Sequence, residues 1–453
     1  MPSFSTIAQD PQIRELVQTN TLARQFKDAL FPQLVFRSDT DPEEWPGQVG
    51  DSMLWTAPGL ISPRTKPLKP RKDPTPSSYQ VEQWEAQINQ WADTIDTHIP
   101  SSIAACVDMF MRNAQQLGLA GAQSINRVAR NTMYNAGTSG HTVADGPGVT
   151  TTQLRVKHMN GFTRARRPDL TAGSPVRFRE VSASNPLKAT LEGVGAVSIV
   201  AFQPDDPDGD EFGPGVLTLS ATASWSDRAY LIADDRTALL RVGGGFKVDD
   251  IGSGDLPKLS DVESAIARLS DYNVRPFADG FFHAHLDSTS VAKMFLDDDL
   301  KRLNQSLPDY YMYKTMALGT MLNTIFVKNS ECPRADTVSS DENLAMELKT
   351  PAGVDVRRIL FMGQGLVKEY FNDQSSMITD AGMIGKTATP QITNDGIEVN
   401  ADRIQLIFRA AVNRLQDEVA ASYRFIGCFV PRTDSCTGDA ARYKRCLIIE
   451  HGT

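Results

Sequence analysis

The stretch SSIAACVDMFMRNAQQLGLAGAQSINRVARNTMYNAG, residues 101–137, decides the fold of this chain. Two serines at its start can cap a helix, and apolar or small residues then recur in steps of three or four. Asn135–Gly137 supplies a stop signal. At about 1.5 Å per residue the predicted helix is about 50 Å long, so we expect it to act as a spine for other elements. Gly118 and Gly121 predict a bend or a close contact with a neighbouring backbone in its middle.

The segment before this helix has a different character. Seven prolines lie between residues 45 and 76, and basic residues are interleaved with them. Such a stretch cannot form a helix and buries little surface by itself. Alternating apolar residues on either side of it, at 53–57 and 84–88, predict two strands. We therefore expect a projecting β-hairpin arm over residues 44–98, and a disordered linker is the alternative.

An arm that buries little within its own subunit needs surface on a neighbour. We expect the basic tip of the arm to rest on an acidic surface of a second copy, such as Asp297–Asp299 or Asp205–Glu211, where charges set register and encounter rate more than affinity. The predicted inter-subunit contacts are apolar or basic residues of this arm: Trp45, Met53, Trp55, Leu60, Arg64, Lys66, Lys69, Arg71, Lys72 and Trp84.

The block that follows the helix is rich in β-prone residues. Short runs separated by Gly, Pro, Asp and Asn recur from 141 to 250, the last of them at Leu239–Val242. The segment Gln203–Gly215 (QPDDPDGDEFGPG) is a strong loop signal between two of these runs. The block therefore predicts a small β-barrel or sandwich.

The remainder of the chain is predicted to be mixed α/β. A capping box at Ser260–Glu263 predicts a helix start, Phe281–Leu286 a strand, and residues 288–305 a single helix. Strict apolar alternation from Ile404 to Val412 predicts a strand near the end, the clearest period-two signal in the chain.

Composition narrows the function classes. The chain has 453 residues and a formal net charge of -9, whereas a free nucleic-acid binder is usually basic. Strong DNA binding is therefore disfavoured as the main role, although a local basic patch is compatible with these numbers. The five cysteines include no C-x-x-C, which favours inert thiols in a reducing compartment. Met1–Asp10 lacks the features of a signal peptide, and no apolar run approaches the ~18 residues of a membrane span, so no membrane partner is expected.

One short segment imitates a metal site. In His283-Ala-His285-Leu-Asp287 two histidines alternate along a predicted strand and a carboxylate follows. The other four histidines have no ligand spacing, and Asp287 falls where a helix cap is expected. A metal-dependent hydrolase using these three residues is thus the less favoured hypothesis. Gly385-Lys-Thr387 lacks the first glycine of a phosphate loop, so we predict no enzyme, cofactor, metal or catalytic residue.

The order of the predicted elements resembles the major capsid proteins of tailed bacteriophages, whose fold is shared with encapsulins and the floor of herpesvirus shells. Phe282–Phe295 (FHAHLDSTSVAKMF) and Arg403–Val430 look like the central-domain strands and helices of that family. The resemblance covers most of the chain except 141–250, which looks like an inserted all-β domain.

This resemblance implies an α+β fold with an N-terminal arm, an extended β-hairpin loop, a long spine helix, and peripheral and axial domains. The implied division is 1–43 for the N-terminal arm, 44–98 for the extended loop, 99–140 for the spine helix, 141–250 for the insertion, 251–400 for the peripheral and axial domains, and 401–453 for the C-terminal strands.

The resemblance also implies a function. Such subunits assemble in the host cytoplasm into hexamers and pentamers of an icosahedral virion shell around double-stranded DNA, and their further partners are scaffolding, portal and decoration proteins. Some members cross-link through a Lys and an Asn, but no such Asn can be matched in this chain. Another self-assembling virion part, such as a tail or baseplate protein, is the nearest alternative.

Overall fold

A computed structural model of the chain describes residues 35–46, 50–58, 67–68, 71, 73–74, 76, 81–98, 106–167, 176–206, 212–234, 236–305, 319–335, 344–371, 391–393, 396–401, 404–409, 418–432 and 445–453. Within this part of the chain many strands accompany a few helices, so the predicted α+β class is confirmed. Residues 1–34 of the predicted N-terminal arm lie outside the described residues. Contacts divide the chain into two compact units, the first comprising 1–53, 86–130 and 367–430 and the second 54–85, 131–366 and 431–453.

The helices are α1 (Cys106–Thr138), α2 (Leu259–Asp271), α3 (Ser288–Met294) and α4 (Asp298–Gln305). The strands are β1 (Asp41–Glu44), β2 (Ser52–Pro58), β3 (Val81–Gln87), β4 (Asn89–His98), β5 (His141–Val143), β6 (Gly148–Val156), β7 (Arg164–Arg167), β8 (Val176–Glu180), β9 (Leu187–Leu191), β10 (Gly195–Pro204), β11 (Gly215–Trp225), β12 (Tyr230–Ala233), β13 (Leu239–Arg241), β14 (Phe282–Leu286), β15 (Thr320–Met321), β16 (Thr324–Lys328), β17 (Val356–Met362), β18 (Val367–Phe371), β19 (Gln391–Thr393), β20 (Gly396–Ala401), β21 (Ile404–Arg409), β22 (Glu418–Pro431) and β23 (Cys446–Gly452). Of the helices in the described ranges, none is long and apolar enough to cross a membrane.

The predicted spine helix is α1. It runs past the predicted stop to Thr138, and Gly140, with φ +80°, adopts the left-handed conformation that follows many helix ends. A Cβ at Gly121 would lie 3.3 Å from the ring of Tyr423 on β22. The close neighbour of this glycine is therefore an aromatic side chain rather than the backbone that the sequence predicts.

The first unit contains a seven-stranded sheet in the order β1-β18-β22-β21-β20-β19, with β4 also paired to β22. The predicted C-terminal strand is confirmed over its first part in β21, where Ile404 and Leu406 are buried, and residues 410–412 of the prediction lie outside the described residues. Beside this sheet, the buried guanidinium of Arg37 pairs with Glu369 at 2.6 Å. Because both groups are almost wholly buried, the counter-charge that each supplies to the other offsets part of the cost of burial.

In the second unit, β5-β12-β9-β10-β11-β6 form a sheet whose two end strands meet. Ala144 forms a bridge with Val156, and the Asp145 amide donates to the Arg155 carbonyl at 2.9 Å. The sheet therefore closes into a six-stranded barrel, filled by buried side chains that include Phe162. Of the two architectures that the sequence predicts for this block, closure selects the barrel.

A second six-stranded sheet in this unit, which we call the central sheet, has the order β13-β23-β17-β14-β16-β15. The predicted run Leu239–Val242 contributes β13 to this sheet and not to the barrel, because β13 pairs in parallel with β23. Every residue of β17 and β23 is buried, as expected for inner strands covered on both faces.

The helices of this unit differ in detail from the prediction. α2 begins at Leu259, and it is the Asp261 carboxylate that accepts from the Lys258 amide at 2.9 Å, so the predicted box at Ser260–Glu263 is wrong by two residues. The single helix predicted over 288–305 is divided into α3 and α4. Asp297 lies between them and its carboxylate accepts from the Leu259 amide at 2.8 Å, which ties the break to the start of α2.

The remaining sheet of the second unit, which we call the arm sheet, has the order β2-β3-β8-β7. Its first two strands are those predicted for the arm. β3 pairs in parallel with β8 through Glu82↔Val176 and Gln83↔Arg177. The arm therefore joins strands that follow the spine helix in the sequence.

Candidate assembly surface and buried polar clusters

The outer strand of the arm sheet, β2, carries apolar residues that the chain does not cover. Leu54 is 52% exposed, and Met53 and Trp55 on either side of it are only half-buried. No residue from 50 to 56 is buried. A strand with this composition usually has at least one covered face, so β2 is the strongest candidate for a contact surface in the described residues.

The inner strand of the arm is anchored to its own chain. Trp84 on β3 is 8% exposed, and the guanidinium of Arg432 lies over its ring at 5.9 Å. Together with the pairing of β3 to β8, this burial corrects the expectation that the whole arm rests on another copy. Since Trp84 is already covered, its ring offers no area to a neighbour in this conformation.

Trp45, another predicted contact, follows β1 in the first unit. It is 5% exposed and meets the ring of Tyr370 edge-on, with centroids 6.0 Å apart. The structure thus uses it as a core residue of its own unit. Burial of one large aromatic ring explains its presence beside a proline-rich segment without any neighbour.

The basic tip is described at one of its charged positions. Arg71 is exposed and has a φ of +65°, an unusual backbone conformation for a residue with a Cβ. The other predicted tip contacts lie outside the described residues: Leu60, Arg64, Lys66, Lys69 and Lys72.

The three candidate metal ligands on and after β14 have other surroundings in the structure. His283 Nε2 lies 3.0 Å from the Asp279 carboxylate, and its ring stacks on Phe277. His285 is fully buried. Asp287 caps α3 as predicted, accepting from the Ser290 amide at 2.9 Å. Across the described ranges no group of three potential ligands could hold a metal ion.

Asp287 also belongs to a buried cluster that has the composition, but not the order, of a catalytic triad. The Ser290 hydroxyl contacts both the Asp287 carboxylate and His451 Nε2, the latter at 2.8 Å. His451 Nδ1 faces the Gly452 carbonyl at 3.0 Å, so the carboxylate does not orient the imidazole as nucleophile activation requires. Ser290 and His451 are fully buried, which makes the cluster a packing feature of the central sheet.

A second buried cluster is centred on Glu450 of β23. The Arg241 guanidinium donates to its carboxylate at 2.8 Å, and Arg358 donates to it at 2.8 and 2.6 Å. Burial raises the pKa of Glu450, but the two guanidinium groups outweigh burial and hold the pKa below its ordinary value. The result is a charged Arg–Glu–Arg group inside the second unit, which no short sequence motif predicts.

Histidines extend this cluster. His141 Nε2 donates to the Thr237 carbonyl at 2.9 Å, and Nδ1 accepts from the Tyr230 hydroxyl at 2.7 Å, which fixes the neutral tautomer. Burial lowers the pKa of His141 to about 4. His158 lines the same small cavity, where burial and the positive charge of Arg358 lower its pKa to about 3. Both rings are therefore neutral at physiological pH.

Three of the five cysteines have described side chains, and these three are buried thiols. Cys332, Cys428 and Cys446 are buried and unpaired by disulfides. Burial raises the pKa of Cys428 to about 12 and raises that of Cys446 as well. A thiol this far from ionisation is a poor nucleophile and a poor metal ligand.

No protein-family model matches the chain, and no curated protein matches it. Among solved structures it is similar to the capsid of Ralstonia phage GP4, with 11% identity, 91% of this chain and 87% of that chain covered, and a TM-score of 0.49. It is also similar to the capsid of cyanophage Pam1, with 10% identity, coverage of 90% and 86%, and a TM-score of 0.48. A Synechococcus elongatus encapsulin complex shows 8% identity, coverage of 93% and 87%, and a TM-score of 0.38. These are the kinds of protein that the predicted order of elements resembles.

Proposed function

We propose that this chain is a structural subunit of a closed shell, a major capsid protein that assembles into hexamers and pentamers of an icosahedral phage head around double-stranded DNA. The observation that carries the proposal is the state of β2, an outer strand of the described arm sheet on which Leu54 is 52% exposed and Met53 and Trp55 are only half-buried. Burial of these apolar side chains against a second copy would lower the free energy of the system.

The physics of a shell suits such a surface. Contacts between different surfaces of identical subunits close into a finite assembly when the rotation between neighbours closes. Each contact can be weak, because every subunit is held by several neighbours at once. Contacts of this kind need a surface that is held in place by its own subunit. In the arm, β3 is anchored to the chain, and β2 presents Leu54 to a neighbour.

The buried polar clusters support a structural role over a catalytic one. Both lie in the interior of the second unit, and Ser290, His451 and Glu450 are at most 1% exposed. Side chains buried to this degree present almost no surface to a substrate. The competing hydrolase hypothesis relied on His283, His285 and Asp287. His283 contacts Asp279, Asp287 caps α3, and His285 is fully buried.

The direct test is negative-stain electron microscopy and size-exclusion chromatography of the purified protein. Wild type is expected to form capsomers or megadalton shells. Leu54→Glu should leave the subunit folded by circular dichroism but shift it to monomer, because a charge on β2 resists burial. Val149→Glu is the matched control, since Val149 is 82% exposed on the barrel strand β6. A wild type that stays monomeric at high concentration, or a Leu54→Glu variant that assembles like the control, would overturn the proposal.

A second test concerns the tip. Reversal of its basic residues to Glu is expected to preserve the folded monomer and to block assembly, because the tip would no longer complement an acidic surface. Normal shell yields would show that the tip is only solvated. The residues to reverse are Arg64, Lys66, Lys69, Arg71 and Lys72.

The proposed partners follow from the proposed role. Scaffolding, portal and decoration proteins would meet the shell, which would assemble in the host cytoplasm and end in the virion. A tail or baseplate protein is the remaining structural alternative, and rings or tubes in the micrographs would favour it.

A further inference from the structure

The barrel and the central sheet of the second unit each have a hydrophobic core of their own. The barrel core contains residues such as Phe162 and Leu217, and the core of the central sheet contains residues such as Phe282 and Phe361. Where the barrel meets the central sheet, polar side chains from both line one small cavity. We call this group the polar junction; it comprises His141, His158 and Tyr230 from the barrel and Arg241, Arg358 and Glu450 from the central sheet.

A chain of hydrogen bonds crosses the polar junction in one direction. The Arg241 guanidinium on β13 donates to the Tyr230 hydroxyl on β12. That hydroxyl donates to His141 Nδ1 on β5 at 2.7 Å, and His141 Nε2 donates to the Thr237 carbonyl at 2.9 Å. The direction is fixed at both ends, because a guanidinium only donates and a carbonyl only accepts. The chain is therefore complete only while His141 Nδ1 carries no proton.

A proton on His141 Nδ1 would break this chain at its centre. The ring would then present a donor to the Tyr230 hydroxyl, which already accepts from Arg241, and the proton of that hydroxyl would lose its acceptor. His158 is buried in the same junction, and its Nδ1 makes no hydrogen bond to the described part of the chain. A proton there would add a charge that the nearby Arg358 repels.

The charges around His141 also oppose protonation. Arg241 and Arg236 disfavour a positive ring, whereas Glu450 favours it, and burial disfavours it more than any charge does. Three arginines face two carboxylates here, so an imidazolium would add to an excess of positive charge. The charged and titratable groups that face the ring are His158 after β6, Tyr230 on β12, Arg236 before β13, Arg241 on β13, Glu347 before β17, Arg358 on β17 and Glu450 on β23.

Ion pairs at the rim join the barrel to the segment that follows β13. The Lys247 ammonium lies 3.1 Å from the Glu192 carboxylate, and the Arg228 guanidinium lies 2.5 Å from the Asp249 carboxylate. These side chains are partly exposed, and polar contacts of this kind contribute less net free energy than apolar cores do. The junction should therefore open at a lower cost than either core.

We infer that the polar junction is an acid-sensitive joint, at which proton uptake by His141 and His158 separates the barrel from the central sheet while each keeps its own core. The separation exposes both rings to water, where each can hold its proton. The joint lies within one subunit, so the inference does not depend on the proposed function.

The test measures thiol labelling of three single-cysteine variants of the full-length protein from pH 7 to pH 5, with the labelled position identified by peptide mass. Val248→Cys places a thiol at the cavity, Ala189→Cys in the barrel core and Ala284→Cys in the core of the central sheet. Each rate is divided by that of a free cysteine peptide at the same pH, which removes the pH dependence of the reagent.

The expected change follows from the histidines. Below pH 6.5 a ring in the open joint takes up a proton before a ring in the closed joint, whose pKa is about 4 for His141 and about 3 for His158. The opening equilibrium should rise about 20-fold between pH 7 and pH 5 for each ring that becomes exposed. Labelling of Val248→Cys should rise accordingly, and the other two thiols should stay protected. A constant rate at Val248→Cys, or equal increases at all three thiols, would overturn the inference.

Histidine variants separate the joint from other effects of acid. His141→Gln with His158→Gln, made in the Val248→Cys protein, keeps a donor and an acceptor at each site but takes up no proton. The acid-induced increase should disappear in this variant, and the comparison holds even if its joint is more open at pH 7. His283→Gln is the matched control, because His283 contacts Asp279 and is not among the cavity residues. An increase that persists in the double variant, or that the control also abolishes, would overturn the inference.

Discussion

Glu450→Gln tests whether the buried Arg–Glu–Arg group depends on its single negative charge. The substitution keeps the size of the side chain and removes the charge shared by Arg241 and Arg358. Glu450 is 1% exposed, so water cannot replace what the carboxylate supplies. The amide of glutamine also brings a donor toward two groups that are donors only.

The expected loss of unfolding free energy depends on the hydrogen bonds that Arg241 and Arg358 keep in the variant. Breaking a buried ion pair by removing one partner costs about 3–5 kcal/mol, because a charge is left without compensation. The lower end applies here, since Arg241 still donates to the Phe246 carbonyl at 2.5 Å and Arg358 to the Glu347 carbonyl at 2.7 Å. We therefore expect Glu450→Gln to lower the free energy of unfolding by about 3 kcal/mol.

Urea unfolding followed by circular dichroism measures this loss, and with a slope of about 3 kcal/mol per molar the midpoint should fall by about 1 M. Asp298→Asn is the control, because this exposed carboxylate makes one ion pair with Lys301 and its loss should not move the midpoint. Replacement of the whole group by Met at both arginines and Leu at Glu450 should cost less than the single change. A loss below about 1 kcal/mol for Glu450→Gln would refute the reasoning, because it would mean that the arginines find compensation elsewhere.

Three further outcomes are expected. The free energy of unfolding should fall between pH 7 and pH 5 by about 2 kcal/mol for each of His141 and His158. Their pKa values in the folded protein, about 4 and 3, lie below the ordinary 6.5, so the unfolded chain takes up protons first as the pH falls. A urea midpoint that stays constant over this range would contradict the expectation. Gly148→Ala should destabilise the barrel by about 1–3 kcal/mol and shift tryptophan emission, since the new Cβ would overlap the Trp225 ring. Unchanged melting and emission would be the contrary result. Treatment with EDTA should leave the melting temperature unchanged, whereas a lowered value would revive a metal site at the histidine pair of β14.

The elements that could be predicted from the sequence are those specified by local pattern. The steps of three and four through α1 and the alternation along β21 each repeat a single geometry over many residues, and both are confirmed. Boundaries were less accurate, because they depend on contacts from distant residues. The break between α3 and α4 coincides with Asp297, whose carboxylate holds the amide of Leu259 at the start of another helix.

The buried clusters could not be predicted, because their members are far apart in the chain. Arg241 lies 209 positions from Glu450, and Arg358 lies 92 positions from it. They meet only because β13 and β17 flank β23 in the central sheet. The sequence did offer one faint signal, a charged residue at the end of a continuous apolar run in Cys446–Gly452 (CLIIEHG), which on an inner strand implies a buried partner.

In the arm, the strands could be predicted from the sequence, but the exposure of their side chains could not. The sequence predicted both of its strands, but it could not distinguish Trp84, which the chain covers, from Trp55, which it leaves half-exposed, since each belongs to a short run in which apolar residues recur at every second position. The difference arises from the sheet order, in which, among the described strands, β3 has two neighbours and β2 has one. An outer strand presents one edge of its backbone, and β2 carries apolar side chains there instead of the charges that usually protect an edge. In a monomer such a strand favours aggregation, whereas in an assembly it provides an interface. The shell proposal is therefore tested best at Leu54, and not at Trp45 or Trp84, which the chain already buries.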